Sequence, residues 1–251
     1  RGLSPLRNVP DIQNDPHRMT AGERRASVSL AAIFALRMLG LFLVLPVFAL
    51  EARRYLGGDD SALVGLAMGV YGLTQALLQI PLGMASDRWG RKPVILLGLA
   101  LFALGSAIAA WAPRGQWLVA GRAIQGAGAI SAPVTALLAD VTRDSVLAKA
   151  MALVGISIAL MFALSLVLAP LLAAQIGLRG LFLVTLVLAL TGMAVVAWVV
   201  PPEPALQHQA ARGGLRQVLA HAGLLRLDFG VFVLHAVQLS MWMAVPALLV
   251  Q

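Results

Sequence analysis

Two arginines lie inside hydrophobic runs of this sequence, where a charged side chain is costly. Arg37 stands near the middle of an apolar stretch at 28–49, and Arg122 lies one helical turn inside another at 117–139. An arginine at mid-bilayer costs about 2.5–3.5 kcal/mol on insertion scales, and such residues usually face a protein interior or a water-filled cavity. We predict that Arg37 lines a cavity. For Arg122, a side chain that snorkels to the membrane surface is an equal alternative.

Neutral polar side chains in these runs are spaced by one helical turn, so they share a helix face. Tyr71, Gln75 and Gln79 recur along a third apolar run, and Gln125 follows Arg122 by one turn. Hydroxyl and amide groups at this spacing can hydrogen-bond a solute or an arginine. The pattern fits a polar lining of the cavity, and it fits plain packing against another helix equally well.

A cationic turn joins two of the apolar runs and contains a carboxylate. It spans 83–93 in the order Gly83-Met-Ala-Ser-Asp87-Arg88-Trp-Gly90-Arg91-Lys-Pro. Arg91 can hold a carboxylate through two parallel hydrogen bonds, which a lysine cannot. Asp140 follows the run at 117–139, where the helix dipole disfavours a negative charge. We therefore predict Arg91 as the partner of Asp140; an exposed cap without a partner is the alternative.

The elements that position these residues are helices long enough to cross a bilayer, which takes roughly 20 apolar residues. The predicted spans are 28–49, 62–84, 94–112, 117–139, 147–176, 181–200 and 227–251. The connections are short, except for a polar stretch with several prolines and glycines after the sixth span. We accordingly predict a six-helix domain at 19–202, a cytoplasmic linker at 203–223 and a seventh membrane helix at 224–251.

Composition agrees with a membrane protein and excludes several other classes. The chain is 60% hydrophobic and 12% charged, with a mean hydropathy of +0.87, whereas a soluble domain is about 25% charged. The net charge is +8, and most of the lysines and arginines lie at span ends and turns rather than along one polar face. No nucleic-acid partner is therefore predicted. The sequence has no cysteine, no metal-spaced cluster and no phosphate-binding loop. We predict no cofactor, no metal and no enzymatic activity.

The distribution of positive charge predicts the orientation. With the amino terminus inside, cytoplasmic segments hold 13 of the 19 lysines and arginines, and outer loops hold four. Because positive loops resist translocation, we predict a cytoplasmic amino terminus. Residues 1–18 are polar, proline-punctuated and without an apolar core. We expect them to form a disordered extension rather than a signal peptide.

The turn and the arginine-bearing runs carry a family resemblance. The order Gly-x-x-x-Asp-Arg-x-Gly-Arg-Lys resembles motif A of the major facilitator superfamily, and Arg122-x-x-Gln125-Gly126-x-Gly128 resembles its motif B. The stretch from Phe34 to Pro46 and the run that begins at Tyr71 are similar to the YajR-like subgroup. The resemblance covers 19–251. It implies an all-α polytopic membrane protein that comprises the six-helix amino-terminal domain, a 3+3 inverted repeat, and one helix of the second half.

The resemblance also implies roles for the motif residues. In the superfamily, motif A latches the two halves on the cytoplasmic side, and the YajR-like subgroup has a charge relay at positions that correspond to Asp87, Arg91 and Asp140. The motif A carboxylate faces a helix of the second half, so Asp87 is expected to be short of a partner. Motif B is associated with proton coupling. A weak likeness to the antiporter motif C falls on Gly155, Ala169 and Pro170.

The first and seventh spans resemble each other at a spacing of 200 residues. Leu45-Pro46-Val47 in the first span matches Val245-Pro246-Ala247 in the seventh. Chance similarity between two apolar helices is one explanation. The start of a second six-helix half is the other.

Taken with the resemblance, these features predict a proton-coupled exporter of small hydrophobic molecules or drugs that works by alternating access in the bacterial inner membrane. Its partners would be the lipid bilayer, a small-molecule substrate, protons, and a missing carboxyl-terminal half or a second copy of the chain. Two alternatives stay open. One is a metabolite or sugar uniporter or symporter, and the other is a truncated membrane protein that does not transport.

Overall fold

A computed structural model describes residues 18–52, 61–201, 203 and 220–249. The chain divides into two compact units, Arg1–Ala205 and Leu206–Gln251. Nearly all of the predicted extension at 1–18 and most of the predicted linker at 203–223 lie outside the described residues. The described residues form helices and no strand, so the all-α prediction is confirmed.

The first helix, α1, spans Ala21–Glu51 and begins at a capping box. The Thr20 hydroxyl accepts a hydrogen bond from the Glu23 backbone N–H at 3.2 Å, and the Glu23 carboxylate accepts one from the Thr20 N–H at 2.7 Å. Each side chain thus satisfies a backbone donor that the start of a helix leaves free. The sequence Thr-x-x-Glu therefore fixes where α1 begins, about two helical turns before the predicted membrane span at 28–49.

The second and third helices, α2 (Ser61–Trp89) and α3 (Arg91–Ala110), meet at a single residue, Gly90. Its φ of 98° lies in a region that side-chain-bearing residues rarely adopt. The turn of motif A is therefore tight, and it brings the last residues of α2 against the first residues of α3.

The fourth predicted span, 117–139, is two helices rather than one. These are α4 (Gly115–Ala127) and α5 (Ser131–Asp140), which are separated by three non-helical residues. Pro133 has no N–H to donate to the Ala129 carbonyl, and a proline ring crowds that carbonyl in a continuous helix. Gly126 and Gly128 add two residues of low helix propensity. The prediction of one continuous helix here was wrong because apolar periodicity does not register such a break.

The fifth and sixth predicted spans lie in one long element, α6 (Asp144–Ala194), which continues into a π-helical turn at Val195–Val199. Within α6, Gly177 has φ 62° and ψ −175°, which is not helical. Glycine is the residue that adopts such a conformation without strain. The predicted boundary between the two spans, 176 to 181, therefore falls on the turn that separates the two helical parts of α6.

The first unit is held together by three apolar clusters. One is built around Phe48 and Phe182, whose rings pack edge to face with centroids 6.5 Å apart. Another is built around Ile33, Leu99 and Leu137. A third, smaller cluster contains Tyr71 and Phe102. Four helices of the described residues are long and apolar enough to cross a membrane by length and composition: Ala21–Glu51, Ala62–Trp89, Arg91–Ala110 and Asp144–Val199.

The second unit contains one described helix, α7, which spans Ala222–Leu249. Its range includes most of the predicted seventh span at 227–251. Most of its residues are apolar, and the titratable residues Asp228 and His235 lie within the predicted seventh span.

Candidate functional site

The side chain of Arg37 is enclosed within the first unit and is 1% exposed. Its Nη2 lies 3.3 Å from the Tyr71 hydroxyl, 3.5 Å from the Gln75 side-chain oxygen and 3.1 Å from the Gly128 carbonyl. The guanidinium also lies over the Phe102 ring, 5.4 Å from its centroid. Two residues of the predicted polar stripe on α2, Tyr71 and Gln75, therefore face Arg37. The Gly128 carbonyl is free to accept this bond because the fourth span is broken there.

Arg122 is also 1% exposed and lies at the same centre of the unit. Its Nη1 donates to the Gln125 side-chain oxygen at 2.9 Å, and the Gln125 amide donates to the Ser106 hydroxyl at 2.7 Å. The guanidinium stacks over the Tyr71 ring at 4.4 Å from its centroid. The side chain is thus held inside the unit by groups on α2, α3 and α4, and it does not extend to the unit's surface.

Tyr71 connects the two arginines. Its hydroxyl contacts Arg37 and its ring lies under Arg122. We call the group of five side chains that these contacts join the arginine centre: Arg37, Tyr71, Ser106, Arg122 and Gln125. Three nitrogens of its guanidiniums have no hydrogen-bond partner among the residues that the structure describes, namely Nε and Nη1 of Arg37 and Nε of Arg122. Each unpaired buried donor costs about 1–3 kcal/mol, so the centre holds unused capacity to bind an acceptor.

Close helix packing positions the centre. A Cβ on Gly126 would lie 2.2 Å from the Tyr71 carbonyl oxygen and 2.1 Å from the Thr74 hydroxyl. Real Cβ atoms do not approach so closely, so α2 and α4 can touch here because residue 126 is glycine. The second motif B glycine, Gly128, packs against the Gly98 carbonyl of α3 in the same way.

A second polar cluster lies at one end of the unit, around the turn between α2 and α3. Arg91 pairs with Asp87 through Nη1, with Asp140 through Nε at 3.0 Å, and with the Ser86 hydroxyl at 2.8 Å. The structure thus brings together the three residues predicted to form a charge relay. Asp87 is not short of a partner, contrary to expectation, because Arg91 of the adjacent turn supplies one. Burial lowers the pKa of Arg91, but the hydrogen bonds and negative charges of Asp140 and Asp87 together outweigh it, so the pKa is raised.

Glu203 was not predicted to take part in this cluster. Its carboxylate accepts hydrogen bonds from the backbone N–H groups of Arg91 at 2.8 Å and Lys92 at 2.6 Å. Lys92 in turn donates to the Val200 carbonyl at 2.6 Å. Glu203 therefore satisfies the amino-terminal end of α3, which Gly90 cannot cap with a side chain. The separation of 112 residues between Glu203 and Arg91 gives no local sequence signal.

A third ion pair at the same end joins the start of α1 to the start of α6. Arg143 donates to the Glu23 carboxylate through Nε at 2.7 Å and through Nη2 at 3.0 Å. The bond from Arg143, together with the bonds from Thr20, lowers the pKa of Glu23 from 4.5 to about 2, although burial opposes the shift. Sequence reasoning singled out neither residue. The Thr-x-x-Glu capping box was the available signal for Glu23. We call this end of the unit, with Glu23, Asp87, Arg91, Asp140, Arg143 and Glu203, the charged end.

The remaining predicted site residues have varied surroundings. Arg88 is exposed, and the carbonyl of Gly83 accepts a bond from Ser86. The side-chain oxygen of Gln79 is buried, and no described group bonds to it. Ala169 is fully buried in an apolar cluster, whereas Pro170 is exposed and lies within α6. Apart from its chain neighbours and the backbone of its own helix, no described atom lies within 4 Å of a Cβ placed on Gly155, so no other described helix packs closely against that glycine.

The sequence pattern that describes the Major Facilitator Superfamily matches residues 30–251. The chain belongs to this superfamily. It is 47% identical over 234 residues to the inner membrane transport protein YajR of Escherichia coli strain K12. The aligned region covers 92% of this chain and 51% of that protein. It is therefore a YajR-like member. An uncharacterized transporter of Buchnera aphidicola subsp. Schizaphis graminum is 34% identical over 92% of the chain and 60% of its own length.

More distant relatives include the class B tetracycline resistance protein of Escherichia coli, which is 30% identical over 61% of this chain and 38% of its own length. Among solved structures, the human organic anion transporter MFSD10 shares the fold with a TM-score of 0.62 at 23% identity, over 72% of this chain and 48% of that protein. This likeness carries the fold alone. The chain spans between about half and three fifths of the first two relatives' lengths.

Proposed function

We propose that this protein moves small organic molecules across the bacterial inner membrane by alternating access and that its direction is efflux. The observation that carries the proposal is the arginine centre. Two enclosed guanidiniums with unpaired donors are costly in a bundle that has no solute to bind. A transporter needs such a polar site near mid-depth of the membrane, between groups of helices that can rock against each other.

The charged end could act as the latch that holds the transporter closed on one side of the membrane during the alternating-access cycle. In the proposed orientation the amino terminus and the charged end are cytoplasmic, and the turn between α2 and α3 acts as the latch that motif A forms in this superfamily. Arg91 holds Asp87 beside Asp140, so movement of either carboxylate changes the charges around the other. The carboxylate of Asp87 is 62% exposed, which leaves it able to meet a second partner. That partner would be the second half of the transporter or a second copy of the chain.

Export of drugs is the finer part of the proposal. Relatives named for drug resistance, the tetracycline resistance protein and the multidrug resistance protein MdtH of Aeromonas hydrophila, align with parts of this chain. Coupling to protons would follow from motif B, where Arg122 lies beside Gln125. Within this proposal the protein has no catalytic step, and its substrates are small molecules that cross unchanged.

The test is counterflow and gradient-driven transport in liposomes that contain the protein expressed from its complete reading frame. Uptake of a fluorescent drug into these liposomes should require a pH gradient that is acid inside. A protonophore, which dissipates the gradient, should abolish the uptake. Uptake at the same rate without the gradient would leave alternating access standing and would contradict proton coupling. Absence of counterflow for every compound tried would contradict transport itself.

One observation favours a second candidate, a uniporter or symporter of a metabolite. The six predicted spans of the first unit contain no Asp, Glu or His, whereas proton carriers in membrane proteins are usually such residues. A proton-coupled exporter would then need a titratable group from outside these six spans or from the substrate itself. Transport that responds to the substrate gradient alone would favour this candidate over the exporter.

A further inference from the structure

The arginine centre has an unbalanced charge. Arg37 and Arg122 are each 1% exposed, and both contact Tyr71, so two cations lie within the reach of one side chain. Among the described residues no carboxylate pairs with either of them. The carboxylates that form described ion pairs in the first unit lie at the charged end, where Arg91 and Arg143 hold them.

A structural role accounts for only part of what these arginines offer. The Gly128 carbonyl, freed by the break between α4 and α5, uses Nη2 of Arg37, and Gln125 uses Nη1 of Arg122. The three remaining nitrogens are buried, and no group in the described part of the chain accepts a hydrogen bond from them. An arginine retained only to satisfy a carbonyl would not need a second arginine beside it, since two like charges in a low-dielectric interior repel each other.

The arginine centre has an excess of positive charge and unpaired N–H donors. A bound anion would neutralise the charge and would also accept hydrogen bonds from these donors. Planar carboxylates, sulfonates and phosphates match the fork of donors on a guanidinium, and such charge-assisted bonds are about twice as strong as neutral ones. A neutral solute would satisfy the donors and leave the charge. A cationic solute would add a third positive charge to the centre.

We propose that the substrate of this transporter is a small organic anion whose acidic group binds between Arg37 and Arg122. The proposal rests on the proposed transport function and names the substrate class of the same site. The acidic group takes the position beside Tyr71, with the three free nitrogens as its donors. The apolar part of the substrate lies against aromatic side chains already at the centre, which are Tyr71 and Phe102.

The way into the site is through the polar stripe on α2. Tyr71 is 7% exposed, while Gln75 and Gln79 are partly exposed. The Gln75 side chain is held to Arg37 by a bond of 3.5 Å, which is at the weak limit of hydrogen-bond geometry. The incoming anion displaces Gln75 from Arg37, and rotation of the Tyr71 side chain opens the space between the two guanidiniums.

The experiment compares four ligands that share one ring system and differ in charge: 1-naphthoate, 1-naphthalenesulfonate, 1-naphthamide and 1-naphthylmethylammonium. The protein from its complete reading frame is purified in detergent, and binding is read as the rise in Tm at millimolar ligand, since a ligand that binds the folded state raises Tm. Both anions should raise Tm, naphthamide less and the ammonium compound least. Equal shifts for naphthoate and naphthamide, or no shift by either anion, would overturn the proposal.

Variants then assign the effect to the arginines. Arg37→Gln and Arg122→Gln should each weaken naphthoate binding by about ten-fold or more, as expected for the loss of a charge-assisted contact. Arg179→Gln is the matched control, because Arg179 also stacks on an aromatic ring, Trp111, but is exposed and is not one of the residues of the arginine centre. Unchanged naphthoate affinity in both Arg37→Gln and Arg122→Gln would overturn the proposal.

Transport is measured separately, so the two proposals fail in different ways. Naphthoate that raises Tm but shows no counterflow would contradict the proposed function and leave the anion site standing. Counterflow of the ammonium compound that naphthoate does not inhibit would support transport and overturn the anionic substrate. The glutamine in each variant keeps a hydrogen-bonding amide at the position of the guanidinium, and the Tm of each variant without ligand checks that the protein still folds.

Discussion

At the scale of single residues, Arg91 makes a set of contacts that a lysine could not make. One guanidinium contacts two carboxylates and a hydroxyl, through Nε to Asp140 and through Nη1 to Asp87 and Ser86. A lysine offers one ammonium on a flexible stem and cannot span these groups in a fixed geometry. The pairing of Arg91 with Asp140 was predicted from charge type alone, because an acid at a helix carboxyl end needs a cation. The roles of Ser86 and Glu203 were not, since neither residue has a local signal.

We therefore expect Arg91→Lys to lower the initial rate of transport by about ten-fold while the protein still inserts and folds. The measurement is counterflow in liposomes at matched protein content, with Tm in detergent as the check on folding. Arg88→Lys is the control, because Arg88 lies in the same turn and is exposed. A normal rate in Arg91→Lys would remove the latch role from this cluster.

Glu23 gives a pH dependence with a defined sign. Its pKa falls from 4.5 to about 2 on folding, so the carboxylate stabilises the folded state when it is ionised in both states. That stabilisation is fully present above pH 4.5 and is lost as the pH falls towards 2. The Tm of the parent should therefore drop more steeply than that of Glu23→Gln across this range. Parallel curves for the two proteins below pH 4.5 would show that the ion pair with Arg143 contributes nothing.

At the scale of helices, spacing and composition predicted the elements well where one apolar run makes one helix. They failed at the fourth span, where Pro133 and two glycines interrupt the backbone within an unbroken apolar run. The same residues that break the helix also free the Gly128 carbonyl for Arg37. Sequence patterns report which side chains are apolar, but which backbone carbonyl lacks a partner depends on how the helices pack.

Gly126 and Gly155 are two motif glycines with opposite surroundings, and they make a matched test of helix packing. Gly126→Ala should destabilise the protein by about 1–3 kcal/mol, because its Cβ would overlap the Tyr71 carbonyl on α2. Gly155→Ala should leave stability unchanged or raise it by up to about 1 kcal/mol, since it meets open space and alanine favours the helix. Tm measured in one detergent compares them. Equal losses in both variants would show that backbone propensity, not helix contact, sets the cost.

At the scale of the whole molecule, the charged groups of the first unit lie in two places, the interior and one end. The arginine centre lies among the apolar clusters, while the described ion pairs gather at the charged end. This separation was partly visible in the sequence, because the cations fall at span ends. The enclosure of Arg37 and Arg122 around one tyrosine was not, since it depends on three helices meeting. The distribution of lysine and arginine predicts the orientation of this arrangement in the membrane.

The orientation can be tested with single cysteines, because the chain has none of its own. Arg88→Cys and Arg114→Cys replace exposed arginines at turns on opposite sides of α3. Ser86, in the same turn as Arg88, is 0% exposed and would be a poor site for a label. A membrane-impermeant maleimide added to intact cells should label residue 114 and leave residue 88 unlabelled until the membrane is opened. The reverse pattern would place the charged end outside, and the latch between Asp87 and a second half would then close the outer face.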